Sequence, residues 1–282
     1  MSLLLILVAL ALPAAAQTGL GVVHGTVTDP SHALVANAKV TMTNTATGVA
    51  RTVETTAAGV FYFGAVTPGP YTVVVEIPQF KRWSGTFHLE VGQNVAIDPQ
   101  LEVGTVQATI EVTGVAPIIE TEKGSLADVK DALRIHELPL NGRQITNLFN
   151  LTAGVEGADS PRTNGMKVGS TDMVLDGISL VDRFTGGMAQ VQPGLDIVQE
   201  FRYETAGSDA KYPRPATVTM ASKSGTNDIH GNVFETFRNN YAGLRARQRM
   251  DTGSTRAKYI RNEYGGTVSG PLVKNKIFWL FS

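Results

Sequence analysis

The sequence predicts a multi-domain, mainly β protein, and three observations carry that expectation. Short runs rich in Val, Thr and aromatics recur through most of the chain, separated by Gly, Pro, Asn and Asp, the pattern of strands and turns. The 282 residues, 43% of them hydrophobic, suffice for more than one core at ~100–200 residues per domain. Charge then divides the chain: residues 230–282 hold nine Lys and Arg against three Asp and Glu, whereas the residues before them hold fifteen against twenty-two. The formal net charge of −1 gives no general attraction to nucleic acid, and the absence of cysteine excludes a disulfide framework or a thiolate metal site.

Residues 1–16 come first. "LLLILVALALPAAAQ" is shorter than the ~20 apolar residues of a membrane-spanning helix, and Ala14 and Ala16 form an A-x-A site before Gln17. It reads as a secretory signal peptide, although the usual basic n-region is missing, which leaves room for a true start upstream. The alternative is a buried hydrophobic helix, against which Pro13 and the alanine cluster argue.

Residues 20–103 are all-β in pattern. "GVVHGTVTD", "AKVTMTNTATG", "VARTVETT", "GVFYFGAV", "YTVVVEI" and "FHLEVGQNVAIDPQLEV" give six or seven strands, enough for a small sandwich. In "GPYTVVVEIPQF", Tyr71, Val73 and Val75 alternate with Thr72, Val74 and Glu76, as in a strand with one face on a core. These residues resemble the carboxypeptidase regulatory-like domain, a transthyretin-like or starch-binding-like β-sandwich. Its Gly-x-Phe and Pro-Gly-x-Tyr-x-Val elements correspond to Gly59-Val60-Phe61 and Pro68-Gly69-Pro70-Tyr71-Thr72-Val73, while a proline common in its first loop is absent from "HALVANA". Such sandwiches serve as spacers, interaction modules and sometimes sugar binders. Phe80, Trp83 and Phe87 are the candidate glycan-contact aromatics; the alternative is that they are core or strand-edge residues.

Residues 104–229 read as a mixed α/β domain. In "DVKDALRIHELP", Val129, Leu133 and His136 fall at i, i+4 and i+7, which predicts a short amphipathic helix closed by Pro139. In "LPLNGRQITNLFNLTAGV", Leu148, Phe149 and Leu151 suggest a second helical turn ended by Gly154. "TDMVLDGISLVD", "GLDIVQEFRYETAG" and "ATVTMASKSGTN" follow as strand and turn units.

The order "ELPLNGRQITNLFNLTAGV", "MVLDGISL", "IVQEFRYETAGSDAKY", "VTMASKSGTNDIHGNVFETFRN", "YGGTVSGPLVKNKIFWLFS" resembles the TonB-dependent receptor family, in the Oar-like branch where a regulatory-like sandwich precedes the plug. The resemblance implies an outer-membrane receptor whose plug, residues 104–229, gates a β-barrel during uptake of a ligand, with the N-terminal domains in the periplasm. It also implies a TonB-type energy-coupling protein and outer-membrane lipid as partners, carbohydrate or another small ligand as cargo, and no cofactor or nucleic acid. "TIEVTG" looks like the family's coupling box, at Thr109, Ile110, Glu111, Val112 and Thr113; an ordinary strand or linker is the alternative. Where plugs often carry Tyr-Gly and a Gly pair, this chain has Pro213 and Pro215, which stiffen the turn.

Residues 230–282 then correspond to an incomplete transmembrane β-barrel start. "HGNVFETFRNN" suits a tilted span of ~9–11 residues, "EYGGTVSG" makes a second strand, "PLVKNK" a tight turn and "IFWLFS" the beginning of a third. In "EYGGTVSG" one face carries Tyr264, Gly266, Val268 and Gly270 and the other Gly265, Thr267 and Ser269, and the basic stretch "LRARQRMDTGSTRAKYIR" reads as a loop. Three strands do not close a barrel, so the chain reads as an N-terminal part of a receptor. No enzyme is expected: His24, His32, His88, His136 and His230 are scattered without ligand spacing, and Asp176 and Asp182 beside glycines suit turns better than an acid/base pair. The competing function class is a secreted or periplasmic carbohydrate- or protein-binding β-sandwich module.

Overall fold

The computed structural model describes residues 19–104, 109–112, 124–138, 140, 143–189, 192–208, 210, 212–239 and 260–282. The segment 1–16 read as a signal peptide lies outside them, as does most of the basic loop.

Seven strands build the N-terminal unit: β1 (Gly21–Thr26), β2 (Lys39–Asn44), β3 (Ala50–Glu54), β4 (Val60–Val66), β5 (Gly69–Glu76), β6 (Arg82–Leu89) and β7 (Asn94–Ala96). An eighth, β8 (Thr109–Val112), joins them from the following segment. They form two sheets, ordered β4-β1-β7 and β3-β2-β5-β6-β8. Period-two patterning does the sorting: Tyr71, Val73 and Val75 are buried along β5, and Val40 and Met42 along β2. Phe61, Phe63, Val23 and Val95 meet them from the other sheet in one apolar core. Gly59, at φ 67°, turns the chain from β3 into β4 in a conformation that side chains with a Cβ rarely adopt. Gly25 is required for space, because a Cβ there would collide with the Ile97 carbonyl.

The second unit contains β9 (Leu126–Asp131), helix α1 (Ala132–Glu137), a 3₁₀ turn at Ile145–Leu151, and the two-residue strands β10 (Val155–Glu156) and β11 (Arg162–Thr163). After them come β12 (Thr171–Leu175), β13 (Ile178–Ser179), a 3₁₀ turn at Leu195–Ile197, β14 (Val198–Ala206) and β15 (Ala216–Ser222). Five strands make a mixed sheet, β13-β12-β15-β14-β9, in which β12 and β15 run parallel. This unit is more β than the sequence pattern suggests. The expected helix begins only at Ala132, so Val129 lies in β9 and Leu133 faces solvent; Ile135 is the residue that α1 buries. The short helix is set by Asp131, whose carboxylate accepts from the Arg134 backbone N–H at 2.8 Å. Leu148 and Phe149 are buried as the motif suggests, while Leu151 is exposed. The prolines 213 and 215 are both exposed in the turn before β15.

Three antiparallel strands end the chain: β16 (His230–Asn239), β17 (Ile260–Val273) and β18 (Ile277–Phe281). Strand β17 continues through Pro271, Leu272 and Val273, so the turn is shorter than "PLVKNK" and centres on Asn275 at φ 62°. One face of the sheet exposes Val233, Phe237, Tyr264, Val268, Trp279 and Phe281; the other turns Asn232, Phe234, Thr267 and Ser269 toward the second unit. Both faces of β16 and β18 carry bulky apolar residues, because the pleat puts Val233 and Trp279 on one face and Phe234 and Phe278 on the other. Among the described residues this sheet is open, and the chain as a whole is mainly β in several sheets, as expected.

Candidate functional site

Of the candidate coupling segment, Thr109 to Val112 form β8 and Thr113 lies outside the described residues. Strand β8 runs parallel to β6, with Arg82 opposite Thr109, Trp83 opposite Ile110, Ser84 opposite Glu111 and Gly85 opposite Val112. The segment between the two units is thus a strand of the N-terminal sheet.

The aromatics expected at a glycan platform are placed otherwise. Trp83 and Phe87 are only 7% and 8% exposed and belong to the sandwich core, with Phe80 partly buried against it. Phe87 stacks on Tyr71 at 5.8 Å between ring centroids, and Tyr71 donates its hydroxyl to the Thr67 carbonyl at 2.9 Å. This corrects the platform reading: alternation along β6 turns residues 83, 85, 87 and 89 inward, so the rings fill a core and present no flat face.

Two junctions that the sequence did not single out hold the units together. At the first, Glu200 of β14 is 2% exposed at its side chain; it accepts from the Val91 backbone N–H at 2.7 Å and lies 2.8 Å from His88 Nε2. The Glu200 carboxylate, by hydrogen bond and charge, holds the His88 pKa above its ordinary value against the opposing effect of burial. At the second, Asp196 accepts from Arg143 at 2.8 Å and from Asn232 of β16 at 3.3 Å, and His136 Nε2 lies 3.3 Å away. The Arg143 guanidinium lies over the Phe234 ring at 4.1 Å, and Thr267 donates to Asn232. The signals were present as "LNGR" and "GLDIVQE", but partners 53 residues apart, as Arg143 and Asp196 are, leave no local pattern.

A cleft of about 740 Å³ opens where the sandwich, the second unit and the C-terminal strands meet, lined among others by Met42, Asn44, Arg51, Gln199, Ser222 and Lys276. Asp182 holds its own turn by accepting from Phe184 and Thr185, which lower its pKa, whereas Asp176 ties its turn to the end of β15 by accepting from the Ser222 N–H at 2.9 Å. Among the described residues no group of three or more His, Cys, Asp or Glu is placed to hold a metal ion.

Two stretches of the chain match families of known proteins. Residues 22–102 match the carboxypeptidase regulatory-like domain, and residues 221–282 match an outer membrane beta barrel domain. The TonB-dependent transporter Oar of Myxococcus xanthus is 26% identical over 276 residues, which cover 92% of this chain and 26% of the relative. The chain therefore spans about a quarter of the length of that relative. Among solved structures, the siderophore receptor PirA from Acinetobacter baumannii is similar at 19% identity and a TM-score of 0.40, over 55% of this chain and 24% of that one. The 5-hydroxyisourate hydrolase of Klebsiella pneumoniae is similar at 16% identity and a TM-score of 0.23, over 31% of this chain and 96% of that one. A regulatory-like sandwich followed by an outer membrane beta barrel match, in that order, makes this chain similar to a TonB-dependent transporter of the Oar type along most of its length.

Proposed function

We propose that this chain carries the coupling and gating parts of a receptor that takes up a ligand across the outer membrane at the expense of a TonB-type energy-coupling protein. In this reading residues 1–16 are removed on export, the sandwich and the coupling segment face the periplasm, and residues 104–229 are the plug. The observation that carries it is β8: Thr109–Val112 is extended and strand-paired between the two cores, the conformation that a partner acting by strand addition requires. Supporting it, the cluster of Arg143, Asp196 and Asn232 seats the second unit against the polar face of the first barrel strands. The exposed Val233, Phe237, Tyr264 and Trp279 give the opposite face the apolar character that lipid contact needs.

The test replaces Ile110 or Val112 with proline in the full-length receptor, which removes a backbone donor from the segment. Uptake and crosslinking to the coupling protein should both be lost. Unchanged uptake and crosslinking after both substitutions would overturn the assignment. Export is tested separately: mass spectrometry of the exported protein should find Gln17 at the mature N-terminus, and an intact Met1 would refute the processing step.

A further inference from the structure

The inference rests on the coupling reading of Thr109–Val112 and concerns what the sandwich does for that segment. A strand has two hydrogen-bonding edges, and β8 uses one of them on β6. In the order β3-β2-β5-β6-β8 it is the outermost strand, so no described strand pairs with its second edge. We propose that the regulatory-like sandwich is a display platform: it holds the coupling segment as the last strand of its sheet, and an extended strand of the coupling protein adds to β8 as a sixth.

The physical case is one of preorganisation. A coupling segment captured from a floppy linker must lose its backbone freedom at the moment of binding, whereas one already laid on β6 has lost it beforehand. Strand β6 is a firm base for that purpose. Its inner edge pairs with β5 from Val75 opposite Trp83 to Gly69 opposite Leu89. Its inward row, Trp83, Phe87 and Leu89, is buried in the core. Its far end is fastened to the second unit through His88 and Glu200, so the platform is tied to β14 as well as to the coupling strand. The one strand thus meets both the segment to be pulled and the unit to be moved.

These 282 residues contain no cysteine, so within them an introduced pair at the register partners Ser84 and Glu111 can bridge only to each other. Neighbouring strands lie about 4.7–4.9 Å apart, inside the ~4.4–6.8 Å between Cα atoms that a disulfide bridges. The full-length receptor carrying Ser84→Cys and Glu111→Cys is oxidised with diamide, and its affinity for the purified periplasmic domain of the coupling protein is measured before and after reduction. A disulfide should form in the resting receptor, and the oxidised form should bind as tightly as the reduced form or up to about tenfold more tightly. Tenfold weaker binding on oxidation would overturn the proposal, because the segment would then have to leave β6 to be captured. Failure of the bridge to form, both here and in a second pair with Arg82→Cys and Thr109→Cys, would overturn it as well. Ile110→Pro without the introduced cysteines separates the two levels: unchanged binding there defeats the coupling reading itself, whereas lost binding together with either adverse result leaves that reading standing and removes only the platform.

Discussion

The two five-stranded sheets of this chain reach burial in opposite ways. In the N-terminal sheet, β5 and β6 alternate, with one face in an apolar core and the other toward solvent or partly covered. In the second sheet, β14 and β15 are buried along almost their whole length on both faces. One of those faces is apolar and aromatic, where Phe149 stacks on Phe201 at 5.8 Å and meets Tyr203 edge-on. The other carries Glu200, Arg202, Glu204, Thr217 and Thr219, all buried. The contrast teaches how each unit is used. A one-faced sheet is complete with its own core, whereas a sheet with a buried polar face needs neighbours that satisfy it, here Val91 and His88 of the sandwich among them. A polar junction of this kind suits parts that dock and separate better than parts that are fused by apolar contact.

Substitutions test how independently the two sheets are held. The largest effect is expected from Phe201→Ala, which empties the aromatic cluster of the second sheet and should cost that unit about 4 kcal/mol. The chain has two tryptophans, so in a Trp279→Phe background the fluorescence of the buried Trp83 follows the sandwich alone. Its transition should stay in place, and a sandwich that melts together with the mutated unit would show that the two cores are one. Next, Arg202→Met breaks the buried ion pair with Glu204, 3.1 Å across, and should cost about 3 kcal/mol. The double variant Arg202→Met with Glu204→Met should recover most of that loss in denaturant unfolding; no recovery would mean that packing, not charge, dominates the polar face.

Smaller still, Glu200→Ala should cost about 1–3 kcal/mol, because the Val91 N–H loses its acceptor. Its signature is a loosened junction, read as wider separation of the two unfolding transitions. The same contact should depend on pH. Glu200, with Glu90 and Asp131 assisting, raises the His88 pKa in the docked state above the ordinary histidine value. The stabilising contribution is therefore complete below about pH 6.5 and fades as pH rises through the raised pKa. An NMR titration should show the His88 pKa falling toward its ordinary value in Glu200→Gln, and an unchanged titration would dismiss the contact. The smallest effect belongs to Lys81→Met in the sandwich, where the exposed Lys81–Glu102 pair at 2.9 Å should contribute about 0–1 kcal/mol. A loss as large as that of Arg202→Met would erase the distinction between the exposed and the buried charges.

Features that repeat at short range are legible in the residues alone. Alternation set the strands from β1 to β7, since a residue's face follows from its position in the pleat, and Gly59 announced its turn through a φ that other residues avoid. Helical spacing was less decisive. Val129 and Leu133 fit a helix by period, yet β9 claims Val129 because pairing with β14 across Arg202 satisfies more backbone groups than one further helical turn. The same limit applied to Trp83 and Phe87, whose types fit a platform or a core equally well until β6 placed them inside. The pairing of β8 with β6, the meeting of Glu200 with His88, and the cluster of Arg143, Asp196 and Asn232 arise only on folding. Each joins residues far apart in the chain, and strand edges and lone charged side chains carry no mark of their partner until folding brings a complementary group within hydrogen-bonding reach.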